Sequence, residues 1–281
     1  MYHVFYHSAD LDGHCSGAIA YRELIPDVED IRAYAINYGQ DFPFEEIKKG
    51  DTVYMLDYSL QPFEKMITLS EMCTLVWIDH HKSSIEEAEK YPEIFIKGSR
   101  EEGKAGCELA WEYFHERDKK PMPKGVFFLG RYDVWDLKNP DFLKFQYGMR
   151  LHDTLYPDAE VWSNVLNDEE NFIDFCLQSG QVILSYVGQT NAKYVQSYGF
   201  PVEFEGYKCI ACNKGLTSSQ LFDSIIEDYD IMITFVKSPK GNWTVSMYTT
   251  KDDIDVGAIA KKLGGGGHKS AAGFQTDELP F

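Results

Sequence analysis

The strongest constraint on the fold is a junction that recurs in the first 81 residues: an apolar run of strand length gives way to aspartate. "TLVWI" (74–78) runs into "DHHK", "TVYML" (52–56) into Asp57, and "YHVFYH" (2–7) into "SADLDG", which carries Asp10 and Asp12. "IRAYAI" (31–36) reads as one more strand, and "SGAIAYREL" and "PFEKMITLSEM", lying between, have helical spacing. Strand, helix and strand alternating in this way predict a parallel sheet with helices on its faces.

In open parallel sheets ligands bind outside the carboxyl ends of the strands. Asp10, Asp12, Asp57 and Asp79 would meet there with His7, His80 and His81. Unpaired carboxylates packed this closely repel and raise each other's pKa. One or two divalent metals remove that conflict, and mixed carboxylate and imidazole donors suit manganese, iron or zinc. Taken singly, each piece has a plainer explanation, since a strand-end aspartate often caps a helix or forms a turn. Convergence at one end of one predicted sheet is what points to a metal centre.

The chain has 281 residues, enough for one large domain or two ordinary ones. Its 44% hydrophobic and 26% charged residues are ordinary globular composition. The formal net charge of −18 argues against long duplex nucleic acid as a partner, because phosphates are held mainly by Lys and Arg. A bound metal would supply local positive charge for a phosphorylated substrate. No apolar run approaches the roughly 20 residues of a membrane span, and "MYHVFYHSADLDG" lacks the pattern of a secretory signal. The expected location is cytoplasmic. Cys209 and Cys212 form a lone C-x-x-C without a second pair for zinc. In a strand they would point to opposite faces, as structural cysteines.

"GKAGCELAWEYFHER" and "PKGVFFLGRYDVWDL" read as helices, the second with proline where a helix start tolerates it. Beyond residue 157 the texture is helix-compatible and carries no chemical cluster. Then "FPVEFEGYKCIAC", "YDIMITFVK" and "NWTVSMYTT" read as strands, with a hairpin around "KSPKGN", before the helical "DVGAIAKKL" and the run "GGGGHKSAAGF". The expected organisation is α/β: a parallel-sheet domain over 1–156, a helical connection over 157–198, and a smaller α/β domain over 199–281, with the active site in the cleft between the domains. Glycines let backbone N–H groups approach an anion, and four in a row exceed what a helix stop needs. Gly265, Gly266, Gly267 and His268 are therefore expected to hold a phosphate or sugar.

"DLDGHCS", "MLDYS", "WIDHHK" and "GRYDVWD" resemble, in order, the four N-terminal motifs of the DHH phosphoesterase superfamily. "GGGGHKSAAGF" resembles the signature of its DHH-associated C-terminal domain, as in oligoribonucleases and RecJ-like phosphoesterases. The resemblance spans almost the whole chain. It implies that Asp10, Asp12 and His80 bind metal, that Asp57 bridges two manganese ions, and that His81 contacts the scissile phosphate. Asp79 would orient its neighbours from behind. Asp133 would be the fourth-motif ligand, with Asp136 the competitor three residues on, on the same face if this is a helix. His7 stands three residues before Asp10, where many members place a ligand histidine four before, and is taken as a ligand with shifted spacing. His14 is read as local structure. Tyr248 stands where several relatives carry an arginine, which argues against an arginine clamp.

The implied activity is manganese-dependent hydrolysis, with two ions, of phosphodiester or phosphomonoester bonds in short nucleotide substrates: oligoribonucleotides, dinucleotides or nucleoside bisphosphates. An exopolyphosphatase or pyrophosphatase-like hydrolase is the runner-up, and a non-catalytic nucleotide sensor the third reading. The oligomeric state stays open, a homodimer included.

Overall fold

Burial on both faces turns the apolar runs of the N-terminal half into a parallel sheet. The computed structural model describes residues 1–27 and 30–281. These divide into two compact units, Met1–Ile183 and Leu184–Phe281. In the first unit, strands β1 (Tyr2–His7), β2 (Ile31–Ile36), β3 (Thr52–Leu56), β4 (Thr74–Asp79) and β5 (Lys97–Arg100) run parallel in the order β2-β1-β3-β4-β5. Side chains alternate across it. Val4, Tyr6, Leu56, Val76 and Ile78 enter one core, and Phe5, Val53, Met55, Leu75 and Trp77 the other. The chain leaves β1 for β2 on one side and returns to β3 on the other, so the topological switch lies between β1 and β3.

The helices of this unit are α1 (Leu11–Leu24), α2 (Glu64–Met72), α3 (Lys82–Ala88), α4 (Gly106–Phe114), α5 (Lys124–Asp133), α6 (Pro140–Met149), α7 (Glu160–Leu166) and the start of α8 (Glu170–Tyr198). Cys15 and Ile19 of α1, Leu109 and Trp111 of α4, and Val126 and Leu129 of α5 share one core; Met66 and Leu69 of α2 fill the other. Among the described residues no helix is long and apolar enough to cross a membrane.

The second unit is a mixed sheet in the order β10-β11-β9-β8-β7-β6. Its strands are β6 (Phe200–Phe204), β7 (Tyr207–Asn213), β8 (Ile231–Lys237), β9 (Trp243–Tyr248), β10 (Gly266–Gly267) and β11 (Ala271–Thr276), with α9 (Val256–Lys262) packed on one face. Only β7 and β8 pair in parallel. Cys209 and Cys212 of β7 are buried in separate cores, and burial pushes the Cys209 thiol up to about 11. They are free thiols, inert in their surroundings.

Two local readings change. "FPVEFEGYKCIAC" is a hairpin of two strands, because Glu205 and Gly206 both take positive φ (51° and 82°) and reverse the chain. Helix α5 stops at Asp133 and Trp135 is left-handed (φ 57°), so Asp136 does not extend a helical face with Asp133.

Helices α6 and α8 cross at glycines. A Cβ on Gly148 would stand 2.0 Å from the Cys176 carbonyl oxygen, and one on Gly180 would stand 1.8 Å from that of Lys144, whereas one on Gly188 meets nothing. Gly180→Ala should destabilise the protein by about 1–3 kcal/mol through overpacking, while Gly188→Ala, at an exposed position inside α8, should stabilise it by about 0.5–1 kcal/mol. Urea denaturation of the two variants checks both signs.

Candidate metal centre

The loops that leave β1, β3 and β4 at their carboxyl ends bring the site together. Asp10 is the N-cap of α1, its Oδ1 accepting from the Gly13 amide at 3.0 Å. Gly13 is required here, because a Cβ would lie 2.1 Å from the His7 carbonyl oxygen. The cap is thus compatible with a second role: Asp10 Oδ2 faces His7 Nδ1 at 3.2 Å. Asp57, just past β3, is 1% exposed and left-handed (φ 53°), a conformation that Asp tolerates better than most residues. Its Oδ2 is 3.6 Å from His7 Nδ1 and its Oδ1 is 3.2 Å from His80 Nε2. One buried carboxylate therefore faces an imidazole on each side.

Around His80 the second pocket closes. Its Nε2 lies 3.3 Å from Asp133 Oδ2 and 3.6 Å from Asp12 Oδ2. Asp12 is anchored at the N-terminus of α4, where the Gly106 and Cys107 amides donate to its two oxygens at 2.8 and 2.7 Å, a favoured place for a carboxylate. Gly106 allows the approach, since a Cβ there would come within 2.7 Å of the Asp57 Cβ. The Glu108 side chain accepts from the Ala105 amide and bonds Arg131, tying α4 to α5. Gly106, Cys107 and Asn37 (whose Oδ1 is 3.3 Å from His7 Nε2) are absent from the sequence reading. A glycine at a helix start and an asparagine after a strand are common enough to carry no local signal.

Asp79, fully buried, accepts from the Trp77 indole at 3.1 Å and from the His80 and His81 amides at 2.8 and 3.1 Å. It also holds His81 Nδ1 at 2.7 Å. Asp136 joins none of these groups and lies against Lys138. His14 bonds Thr154 and the Ser8 carbonyl, in keeping with a local role. Gly265, Gly266, Gly267 and His268 belong to the second unit. A Cβ on Gly265 would meet the Gly273 carbonyl oxygen at 2.1 Å, and one on Gly267 the Ala272 Cα at 2.5 Å, so close backbone packing on β11 explains both; Gly266 faces open space.

Charge is unbalanced in the first unit's site. Burial, then repulsion from Asp12 and Asp10, pushes the Asp57 carboxyl well above the ordinary range; burial, then Asp12 and Asp57, does the same to Asp133. Burial opposes charge on His7, yet Asp10 and Asp57 outweigh it and hold the ring up to about 10. His7 Nδ1 and Asp57 Oδ1 are buried without a hydrogen-bond partner despite their near neighbours. Orphaned polar atoms of this kind fit a cation site. Among the described residues His7, Asp10 and Asp57 could hold one ion and Asp12, His80 and Asp133 another, with Asp57, His80 and His81 a third grouping. Mixed carboxylate and imidazole donors suit manganese, iron or zinc.

A five-stranded parallel sheet with acid and imidazole pockets at its carboxyl edge, followed by a separate mixed-sheet unit, defines a two-part α/β class of protein. Residues 2–128 match the N-terminal domain of the DHH family and residues 215–280 match the DHHA1 domain, and the chain belongs to that family. It is similar to oligoribonuclease NrnB of Bacillus subtilis, 26% identical over 313 residues, covering 99% of this chain and 74% of that one. An uncharacterized protein of Acanthamoeba polyphaga mimivirus is 26% identical over 300 residues, covering 96% of this chain. The chain spans 66% of that relative's length. The structure of a pGpG-specific phosphodiesterase, PggH from Vibrio cholerae, shares the fold with a TM-score of 0.52 at 14% identity, covering 98% of this chain and 93% of that one.

Asp57 and Asp79 should respond oppositely to mutation in the metal-free protein. Asp57→Asn keeps the left-handed backbone and removes a repelled charge, and should stabilise by about 0.5–2 kcal/mol at neutral pH. Asp79→Ala strands buried donors at about 1–3 kcal/mol each and should destabilise. Thermal melting with a chelator present separates the two.

Proposed function

We propose that the chain is a metal-dependent phosphoesterase that hydrolyses short nucleotide substrates, such as oligoribonucleotides, dinucleotides or nucleoside bisphosphates. The observation that carries this is the placement of Asp57, one oxygen toward His7 and the other toward His80. In this reading His7, Asp10 and Asp57 hold one ion, and Asp12, His80, Asp133 and Asp57 hold a second, with manganese the expected metal. When bound, such ions supply Lewis acidity and lower the pKa of water.

The chain's own residues do the rest. His81 is fixed through Nδ1 by Asp79, and in the protonated ring Nε2 would donate to a non-bridging oxygen of the phosphoryl group. Burial opposes charge on that ring, but its hydrogen bond to Asp79 and the charges of Asp79 and Asp57 outweigh it and raise its pKa. Cationic character there favours binding of an anion. In the C-terminal unit Gly266, with open space at its Cα, and His268 would hold a phosphate or sugar of the substrate. A net charge of −18 favours short substrates over long duplexes.

Purified protein should hydrolyse a member of a panel of cyclic dinucleotide, linear dinucleotide, short RNA, nucleoside bisphosphate, pyrophosphate and polyphosphate when Mn2+ is added, and stop when a chelator follows. Asp57→Ala and His80→Ala should lose both metal and turnover. His81→Ala should keep its metal while kcat falls about 10²–10³-fold. Activity confined to polyphosphate or pyrophosphate would refute the nucleotide assignment.

Loading should also be pH-dependent. His7 is protonated at neutral pH, and the raised Asp57 and Asp133 hold protons above the ordinary range, so a metal displaces protons. Apparent Mn2+ affinity should therefore rise with pH between 6 and 8. Calorimetry in two buffers of different ionisation enthalpy should register proton release.

A further inference from the structure

We infer that Asn37, in the turn after β2, decides which ring nitrogen His7 offers to a metal. The inference rests on the reading of His7 as a ligand. Asn37 Oδ1 accepts from the Tyr38 amide at 2.7 Å and lies 3.3 Å from His7 Nε2. A backbone N–H only donates, so the atom facing it is the amide oxygen and not the amide nitrogen. The backbone thereby fixes the orientation of the Asn37 side chain. The same oxygen faces His7, so Nε2 must carry a proton.

In a neutral imidazole the other nitrogen then carries the lone pair. That nitrogen is Nδ1, the buried atom without a hydrogen-bond partner that stands 3.2 Å from Asp10 Oδ2 and 3.6 Å from Asp57 Oδ2. Nδ1 is thus presented to the pocket and Nε2 is turned away from it.

The turn that carries Asn37 is braced from both ends. Gln40 Oε1 accepts from the Asn37 amide at 2.8 Å, and the Gln40 amide donates to the Asn37 carbonyl at 3.2 Å. The Ser8 amide, one residue past His7, donates to the Ile36 carbonyl at 2.9 Å. Tyr38 and Tyr58 flank the imidazole, with ring centroids 5.7 and 6.1 Å away. Asn37 is therefore a positioning residue: it touches neither metal nor substrate and acts through His7.

The test uses the full chain with Zn2+ as a diamagnetic probe. Two-bond 1H–15N correlation spectra of the Zn2+-loaded wild type should show His7 protonated at Nε2 and bound through Nδ1. Asn37→Ala should weaken Zn2+ binding about 10- to 100-fold in competition calorimetry, and Asn37→Asp, which keeps an acceptor oxygen, should restore it. A His7 bound through Nε2 in the wild type overturns the inference, and that result needs no variant to fold. Unchanged affinity in Asn37→Ala alongside a loss in His7→Ala overturns it while leaving His7 a ligand. Unchanged affinity in His7→Ala removes the ligand reading and the inference together.

Discussion

One buried carboxylate organises the N-terminal unit's site. Asp57 sits at the end of a central strand, beside the topological switch, with an imidazole facing each of its oxygens and two further aspartates close enough to repel it. A charged group in that position is costly unless something positive shares the space. The surrounding structure leaves Asp57 Oδ1 without a hydrogen-bond partner. It keeps the conflict in place, as sites built for a cation do.

What keeps it in place is a set of contacts with no chemical part of their own. The amides at the start of α4 pin Asp12, made possible by a glycine that lets the helix approach. Asp79 is fully satisfied by an indole, two amides and His81, so it fixes the histidine pair without competing for the cation. Asp10 serves at once as helix cap and as pocket wall. The stability of the sheet edge and the geometry of the pockets therefore depend on many of the same residues.

The parallel sheet was legible because period-two burial on two faces writes continuous apolar runs, and four of the five strands carry one. The fifth, Lys97–Arg100, does not: it is short, polar and only partly buried, and pairs along one edge. His7, Asp10, Asp12, Asp57 and His80 were legible as a group because strand ends in such a sheet share one edge, whereas Asp133, at the end of α5, was reached only through the resemblance of "GRYDVWD" to a family motif. Asp133 and Asp136 could not be separated by spacing, because the helix stops between them at a left-handed Trp135 that nothing local announces. Asn37 and Gly106 escaped for a different reason. Their roles exist only where β2 meets β1 and where α4 meets the site, and residues 30 and 94 positions apart in sequence leave no periodic trace. In the glycine run, Gly265 and Gly267 answer to backbone packing on β11, while a Cβ on Gly266 would meet open space.

The central claim is that Asp57 is shared by two metal pockets. Anomalous diffraction at the manganese edge, from crystals of the full chain grown with Mn2+, tests it directly. Two peaks about 3.5–4 Å apart, one on the His7 side of Asp57 and one on the His80 side, are the expected result. A single peak, or peaks out of bonding distance of Asp57, would contradict it.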